Sequence, residues 1–194
     1  MDLNNKHNLN IGLLGGTFNP PHKGHLHISK DALKRFKLDY IWWIVSLQNP
    51  LKEIKAPSFE SRIKQCNQLI DSKEIIVSDL ERRINSNDTM TLLRFLDGQR
   101  SGNNYYWIMG SDIFLNFDQW GEWQNILRSI KIIVYDRPKY LYKDIKNTIN
   151  PIILKYKKDK GSFLSSSPPG WTLIKSLTPN ISSTEIRNQN EKTK

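Results

Sequence analysis

Two histidines three residues apart, His22 and His25, close the run Gly15-Gly16-Thr17-Phe18-Asn19-Pro20-Pro21-His22-Lys23-Gly24-His25. An apolar segment, Ile11–Leu14, precedes the run, and a helix-like pattern from about Gly24 to Phe36 follows it. Strand, tight turn and helix in that order make a corner suited to binding phosphate, because a helix N-terminus presents unpaired N–H groups and the positive end of its dipole. Imidazole rings beside that end can donate hydrogen bonds to an oxyanion. Gly15 and Gly16 are expected to turn the backbone sharply and to bring its N–H groups close to a ligand. Pro20 and Pro21 stiffen the loop and fix where the helix can begin. Neither the dinucleotide fingerprint G-x-G-x-x-G nor the P-loop pattern is present. Each part alone has an ordinary structural use; their combination between a strand and a helix points to phosphate chemistry.

Two further clusters carry suitable groups. Ser182-Ser183-Thr184-Glu185 reads as a capping box, with Ser182 as N-cap and Glu185 at the third helical position. Its hydroxyls, the free N–H groups of a helix start, and Arg187 one turn on together make a cradle for a triphosphate. Gly110-Ser111-Asp112 comes directly after the apolar run Tyr105–Met109. There the glycine permits close approach, and the Asp112 carboxylate can accept both hydroxyls of a ribose.

These groups need a frame that brings distant segments together. Apolar runs at 9–14, 40–46, 74–78, 105–109, 131–135 and 171–175 read as strands. The nearly continuous run YIWWIVS suits a central parallel strand covered on both faces, with Trp42 and Trp43 in the core or at its flank. Between the strands lie helical patterns at 58–70, with Ser58 as N-cap, and at 88–97, closed by Gly98. Two short helices are expected around Trp120 and Trp123. Alternation of strand and helix throughout predicts an α/β, Rossmann-like, doubly wound parallel sheet. It is expected as a single domain over 1–194 with its core at about 9–190. In such sheets the loops at the C-terminal strand ends carry the ligand contacts. The loop Leu47–Pro57, which contains Lys52, is one of them.

Composition narrows the function classes. At 194 residues, 38% hydrophobic and 25% charged, the chain is an ordinary globular sequence with room for a sizeable core. One cysteine, Cys66, allows no internal disulfide and fits a reducing, cytoplasmic setting; it falls in step with Ile63 and Ile70 and is expected to fill core. The polar first ten residues lack the apolar centre of a signal peptide, and no apolar run approaches the roughly 18 residues of a membrane span. The 29 Lys and Arg against 19 Asp and Glu give a formal charge of +10. Nine of the basic residues lie in 131–160 against three Asp, without the interleaved aromatics of a nucleic-acid motif. That stretch is expected to be mainly a solvated lysine-rich face. Neither nucleic acid nor membrane is expected as a partner, and the sequence leaves room for a homo-oligomer.

The run Gly15–His25 resembles the H-x-G-H signature of the nucleotidyltransferase superfamily, and its Pro-Pro-His wording is similar to the bacterial nicotinate-nucleotide adenylyltransferases. Ile181-Ser182-Ser183-Thr184-Glu185-Ile186-Arg187 resembles that family's second signature, and Gly110-Ser111-Asp112 its Gly-x-Asp block. Arg137-Pro138 resembles an Arg-Pro pair after a later strand of the family. The family commonly has Asp where Asn19 stands, and Tyr-Thr-x-x-Thr-Leu where this chain has Asp88-Thr89-Met90-Thr91-Leu92.

The resemblance implies an enzyme that joins ATP and nicotinate mononucleotide into nicotinate adenine dinucleotide and pyrophosphate, a step in NAD synthesis. It implies His22, His25 and Arg187 as catalytic residues. ATP would lie on Gly15, Gly16, Thr17, Phe18, Gly110, Asp112, Ser182, Ser183 and Thr184. The mononucleotide would lie on Lys52, on the backbone N–H groups of Thr89 and Met90, and on the Trp120 ring. Mg²⁺ is expected with ATP, and no metal site of the protein's own is seen. The same chemistry on nicotinamide mononucleotide or phosphopantetheine is the alternative, with an RNA-binding module further off.

Overall fold

The computed structural model describes residues 8–47, 57–99, 101–136, 148–175 and 183–192, the side chains of 189–192 excepted. The elements in chain order are β1 Asn10–Gly16, α1 Lys23–Phe36, β2 Tyr40–Val45, α2 Phe59–Leu69, β3 Ile75–Ser78, α3 Leu80–Arg83, α4 Thr89–Gly98 and β4 Asn104–Gly110. They continue with α5 Ser111–Phe114, a 3-10 turn Phe117–Gln119, α6 Trp123–Ser129, β5 Lys131–Tyr135, α7 Pro151–Leu154, α8 Lys160–Ser165, β6 Gly170–Ile174 and α9 Ser183–Lys192. The strands form one six-stranded sheet in the order β3-β2-β1-β4-β5-β6, parallel at every pairing. This is the expected doubly wound α/β sheet. The chain leaves β1 first to one side and then, through β4, to the other, so the switch point falls between β1 and β4.

Side chains alternate along each strand between two cores. Leu14, Ile41, Trp43, Ile108 and Ile133 pack with Ile28, Ala32 and Phe36 of α1, Cys66 of α2 and Phe163 of α8. Leu13, Ile44, Trp107, Met109, Ile132 and Val134 pack on the opposite face with Met90, Leu92, Leu93 and Leu96 of α4 and Ile126 and Leu127 of α6. Both faces are covered, which is why the strand sequences read as nearly unbroken apolar runs. Cys66 is fully buried as expected, and its burial pushes the thiol up to about 12, so it stays a neutral core side chain.

Several local expectations are corrected. Gly15 and Gly16 do not turn the chain: both belong to β1, and the left-handed residue of the corner is Phe18 at φ 47°. Gly15 is small for another reason, since a Cβ there would sit 2.8 Å from the Trp107 ring. Gly98 is the last residue of α4 and not a left-handed cap; the helix runs on into Gln99 at φ −70°. The lysine-rich stretch is not wholly solvated. Lys131 is buried, with Nζ donating to the carbonyls of Phe163 and Leu164 at 3.3 Å each and lying 4.9 Å from the Tyr106 ring centre. Two short helices, α7 and α8, lie in the stretch 139–170, whose lysines and Ser-Ser-Ser-Pro-Pro-Gly run suggest loops from sequence. The strand read at 171–175 starts one residue earlier, at Gly170.

Candidate active site

The C-terminal ends of the parallel strands share one edge of the sheet, and every described candidate from the sequence that follows a strand directly lies there. Its centre is the start of α1. His22 is the N-cap in extended backbone, and its Nδ1 accepts from the Gly24 N–H at 3.1 Å. The Nδ1 of His25 in turn accepts from the His22 N–H at 3.1 Å. The two imidazoles thus form a reciprocal capping box, the part usually played by Ser and Glu. Their ring centres are 3.8 Å apart. An Nδ1 that accepts carries no proton, so each neutral ring holds its proton on Nε2, on the side away from the backbone. Two Nε2–H donors beside a helix N-terminus make a site for an anionic oxygen.

Packing fixes this pair. Phe18 is buried, stacks on Trp43 at 5.0 Å and meets the His25 ring at 4.8 Å. The Phe18 side chain is thus a floor beneath His25, which explains a large residue at a left-handed position. Trp43 donates from Nε1 to the Ser29 hydroxyl at 2.8 Å, and Ser29 donates to the His25 carbonyl at 2.8 Å. Both residues are wholly buried, so the first turn of α1 is tied to β2 from beneath.

The second signature lies against the first, although some 160 residues separate them. The Ser183 hydroxyl donates to the Pro20 carbonyl at 2.9 Å, and Arg187 donates from Nη1 to the Asn19 carbonyl and from Nη2 to the Thr184 hydroxyl at 3.1 Å. The start of α9 and the start of α1 therefore converge on one loop. Ser182 and Lys52, together with the Arg137-Pro138 pair, lie outside the described residues.

On the other side of the switch point, Gly110 ends β4 and Asp112 is half-buried in the first turn of α5. Trp120 follows the 3-10 turn and is held edge-on to Trp107 at 6.1 Å and against Phe117 at 5.5 Å. Thr89 and Met90 open α4. The Asp88 carboxylate caps that helix, with Oδ2 accepting from the Thr91 N–H and hydroxyl at 2.7 Å each. Asp88 also borders the Trp120 side of the edge, since a Cβ on Gly121 would lie 3.7 Å from its Oδ1. Sequence reasoning did not single out Arg62 and Glu81, two buried charged residues at this same edge. The signal for Arg62 was its place one turn before the core residue Cys66.

A parallel sheet with a histidine-capped helix at its switch point, and a second helix start docked on the same loop, is an arrangement suited to holding phosphate groups. The cytidylyltransferase-like family model matches residues 13–189. A protein of Ruegeria sp. (strain TM1040), described as a probable nicotinate-nucleotide adenylyltransferase, is 36% identical over 182 residues, covering 92% of this chain and 96% of its own. A protein of the same description from Cereibacter sphaeroides (strain ATCC 17025) is 34% identical over 177 residues, covering 91% and 96%. The fold is also that of Plasmodium falciparum nicotinic acid mononucleotide adenylyltransferase complexed with NaAD, at a TM-score of 0.73 and 20% identity over 93% of this chain and 83% of that one. The chain belongs to the cytidylyltransferase-like family and, within it, to the nicotinate-nucleotide adenylyltransferases.

Proposed function

We propose that this chain transfers the AMP moiety of ATP to nicotinate mononucleotide, giving nicotinate adenine dinucleotide and pyrophosphate. The observation that carries the reading is the docking of Ser183 and Arg187 onto the Pro20 and Asn19 carbonyls, which brings a hydroxyl-and-guanidinium cradle beside the histidine pair. A phosphate oxygen of the mononucleotide attacks the α-phosphorus of ATP. The bond from that phosphorus to the α,β-bridging oxygen breaks, and pyrophosphate leaves in line. The attacking phosphate is already ionised at neutral pH, so no general base is needed, and catalysis is positioning and charge neutralisation.

In this reading His22 and His25 donate from Nε2 to the α-phosphate oxygens. Ser182, Ser183, Thr184 and Arg187 hold the β,γ end. Gly15, Gly16, Thr17 and Phe18 give the backbone wall of the ATP site, while Gly110 and Asp112 hold the ribose. Mg²⁺ would come with ATP and would supply charge neutralisation at the phosphates, taking few protein ligands. No group of three or more His, Cys, Asp or Glu suited to a metal occurs among the described residues. Trp120 stacks on the pyridine ring, the N–H groups of Thr89 and Met90 receive its carboxylate, and Lys52 attends the mononucleotide phosphate. Asp88 spends Oδ2 on the Thr91 N–H and hydroxyl of its own helix.

The partners are therefore ATP and nicotinate mononucleotide, and the reaction belongs to the cytoplasm. No described helix is long and apolar enough to cross a membrane. The test is to supply the protein with ATP, Mg²⁺ and one acceptor at a time, and to follow pyrophosphate. Release with nicotinate mononucleotide and little with phosphopantetheine is expected; release with phosphopantetheine alone refutes the reading.

A further inference from the structure

Arg62 is 2% exposed, yet among the described residues its guanidinium makes four hydrogen bonds and all four go to backbone carbonyls. Its Nη1 donates to the Thr17 carbonyl at 2.8 Å and to the Ser46 carbonyl at 2.7 Å. Its Nη2 donates to the Leu47 carbonyl at 2.9 Å and its Nε to the Pro57 carbonyl at 3.2 Å. These acceptors come from three separate places: the histidine loop after β1, the exit of β2, and the approach to α2 itself. The Leu47 peptide is gripped from its other end as well, because the Leu47 N–H donates to Glu81 Oε2 at 3.1 Å. The Ser46 N–H donates to the Gly16 carbonyl at 2.9 Å, which completes the tie between the β1 and β2 exits.

Burying a guanidinium is costly, and a stability role alone is met more cheaply by an apolar side chain. What a planar fork of five N–H donors adds is geometry: it fixes several carbonyls relative to one another at once. The carbonyls fixed here border the histidine pair on one side and the second strand exit on the other. We propose that Arg62, with Glu81 behind it, is a positioning residue for adenylyl transfer, holding the β2 exit in register with the histidine loop. The proposal rests on the function proposed above, since it is the two substrates on those neighbouring loops that must be aligned.

The test uses Arg62→Lys in the full chain. Lysine keeps the charge, but its single nitrogen cannot span three segments. Expected is a drop in kcat of about tenfold or more, since small misplacements are costly in an aligned transfer. The dissociation constant of an unreactive ATP analogue stays within about threefold. Amide exchange at Ser46 and Leu47, followed by NMR, speeds up about tenfold or more.

Glu81→Leu and Glu81→Gln give an independent arm. Leucine removes the acceptor of the Leu47 N–H, so that amide exchanges faster and kcat falls; glutamine keeps a carbonyl acceptor and restores most of both. This arm decides the matter if Arg62→Lys fails to fold. The proposal is overturned if exchange accelerates while kcat stays within about twofold, or if kcat falls with exchange unchanged. It is equally overturned if ATP binding is lost in step with kcat. An inactive wild type overturns the proposed function itself, and so is told apart from these results, which all require an active wild type.

Discussion

Replacing His25 removes an observed contact and a proposed one, which lie on different atoms of one ring. Its Nδ1 accepts the His22 N–H and so caps α1. Its Nε2 carries the proton that the proposed mechanism directs at the α-phosphate. The first loss is one N-cap interaction, worth about 0.5–2 kcal/mol, which in a chain of this size lowers the melting temperature by about 2–4 °C per kcal/mol. The second is a donor aimed at developing charge, worth about 100- to 1000-fold in turnover. His25→Ala forfeits both. His25→Asn separates them, because its side-chain carbonyl can stand where Nδ1 stood but no atom reaches the place of Nε2. Steady-state pyrophosphate release at saturating substrates and thermal melting by circular dichroism read the two losses independently. Both variants should be about equally slow, and only His25→Ala should melt early. Near wild-type turnover in His25→Asn refutes the catalytic role of Nε2, and equal melting temperatures refute the capping role of Nδ1.

Two further outcomes follow from other sites. Arg187→Ala should weaken ATP by about ten- to a hundredfold, from charge-assisted bonds of about 1.5–3 kcal/mol, and should leave the mononucleotide less affected; separate titrations check this, and an effect confined to the mononucleotide contradicts the assignment. Glu81 is buried, and burial raises its carboxyl from the ordinary 4.5 to about 7 against the opposing pull of the Leu47 N–H and Arg62. The folded chain therefore holds this proton more tightly than the unfolded one. That stabilisation is complete below about 4.5 and is lost as pH rises through about 7, a change of about 3 kcal/mol. Denaturant unfolding between pH 4.5 and 8 should show this fall in the wild type and a smaller one in Glu81→Gln. Identical pH profiles refute the assignment to Glu81.

Much of the sheet was legible because both its faces are covered: runs such as Lys131–Tyr135 and Tyr40–Val45 could only be strands of a buried sheet. The pairing of the two signatures was legible as chemistry, but their contact through Ser183 and Arg187 needed the fold. What escaped did so for physical reasons. Four-residue helices such as α3 and α7 are shorter than the period needed to recognise them. Gly15 announced a turn, but tertiary packing against Trp107 accounts for it, and the strained backbone passed to Phe18. Lys131 fell within a stretch read as solvated, and Arg62 drew no notice, because charged residues are usually exposed. Only the carbonyls that receive them, from segments distant in sequence, show why they are buried.

The central claim is that this edge of the sheet joins AMP to the acid mononucleotide in preference to the amide. The rings are nearly the same shape, so in the proposed pocket stacking on Trp120 would not choose between them. The N–H groups of Thr89 and Met90 would, because a carboxylate only accepts whereas an amide sets its own NH₂ against those donors. Leaving such donors unpaired costs about 1–3 kcal/mol. The most direct measurement is a competition, with equal nicotinate and nicotinamide mononucleotides, limiting ATP and Mg²⁺, and the two dinucleotides separated by chromatography and weighed by mass spectrometry. Their initial ratio is the ratio of kcat/KM values. A ratio of about ten to one or more in favour of the acid product is predicted. Equal products, an excess of the amide product, or no dinucleotide at all contradicts the account.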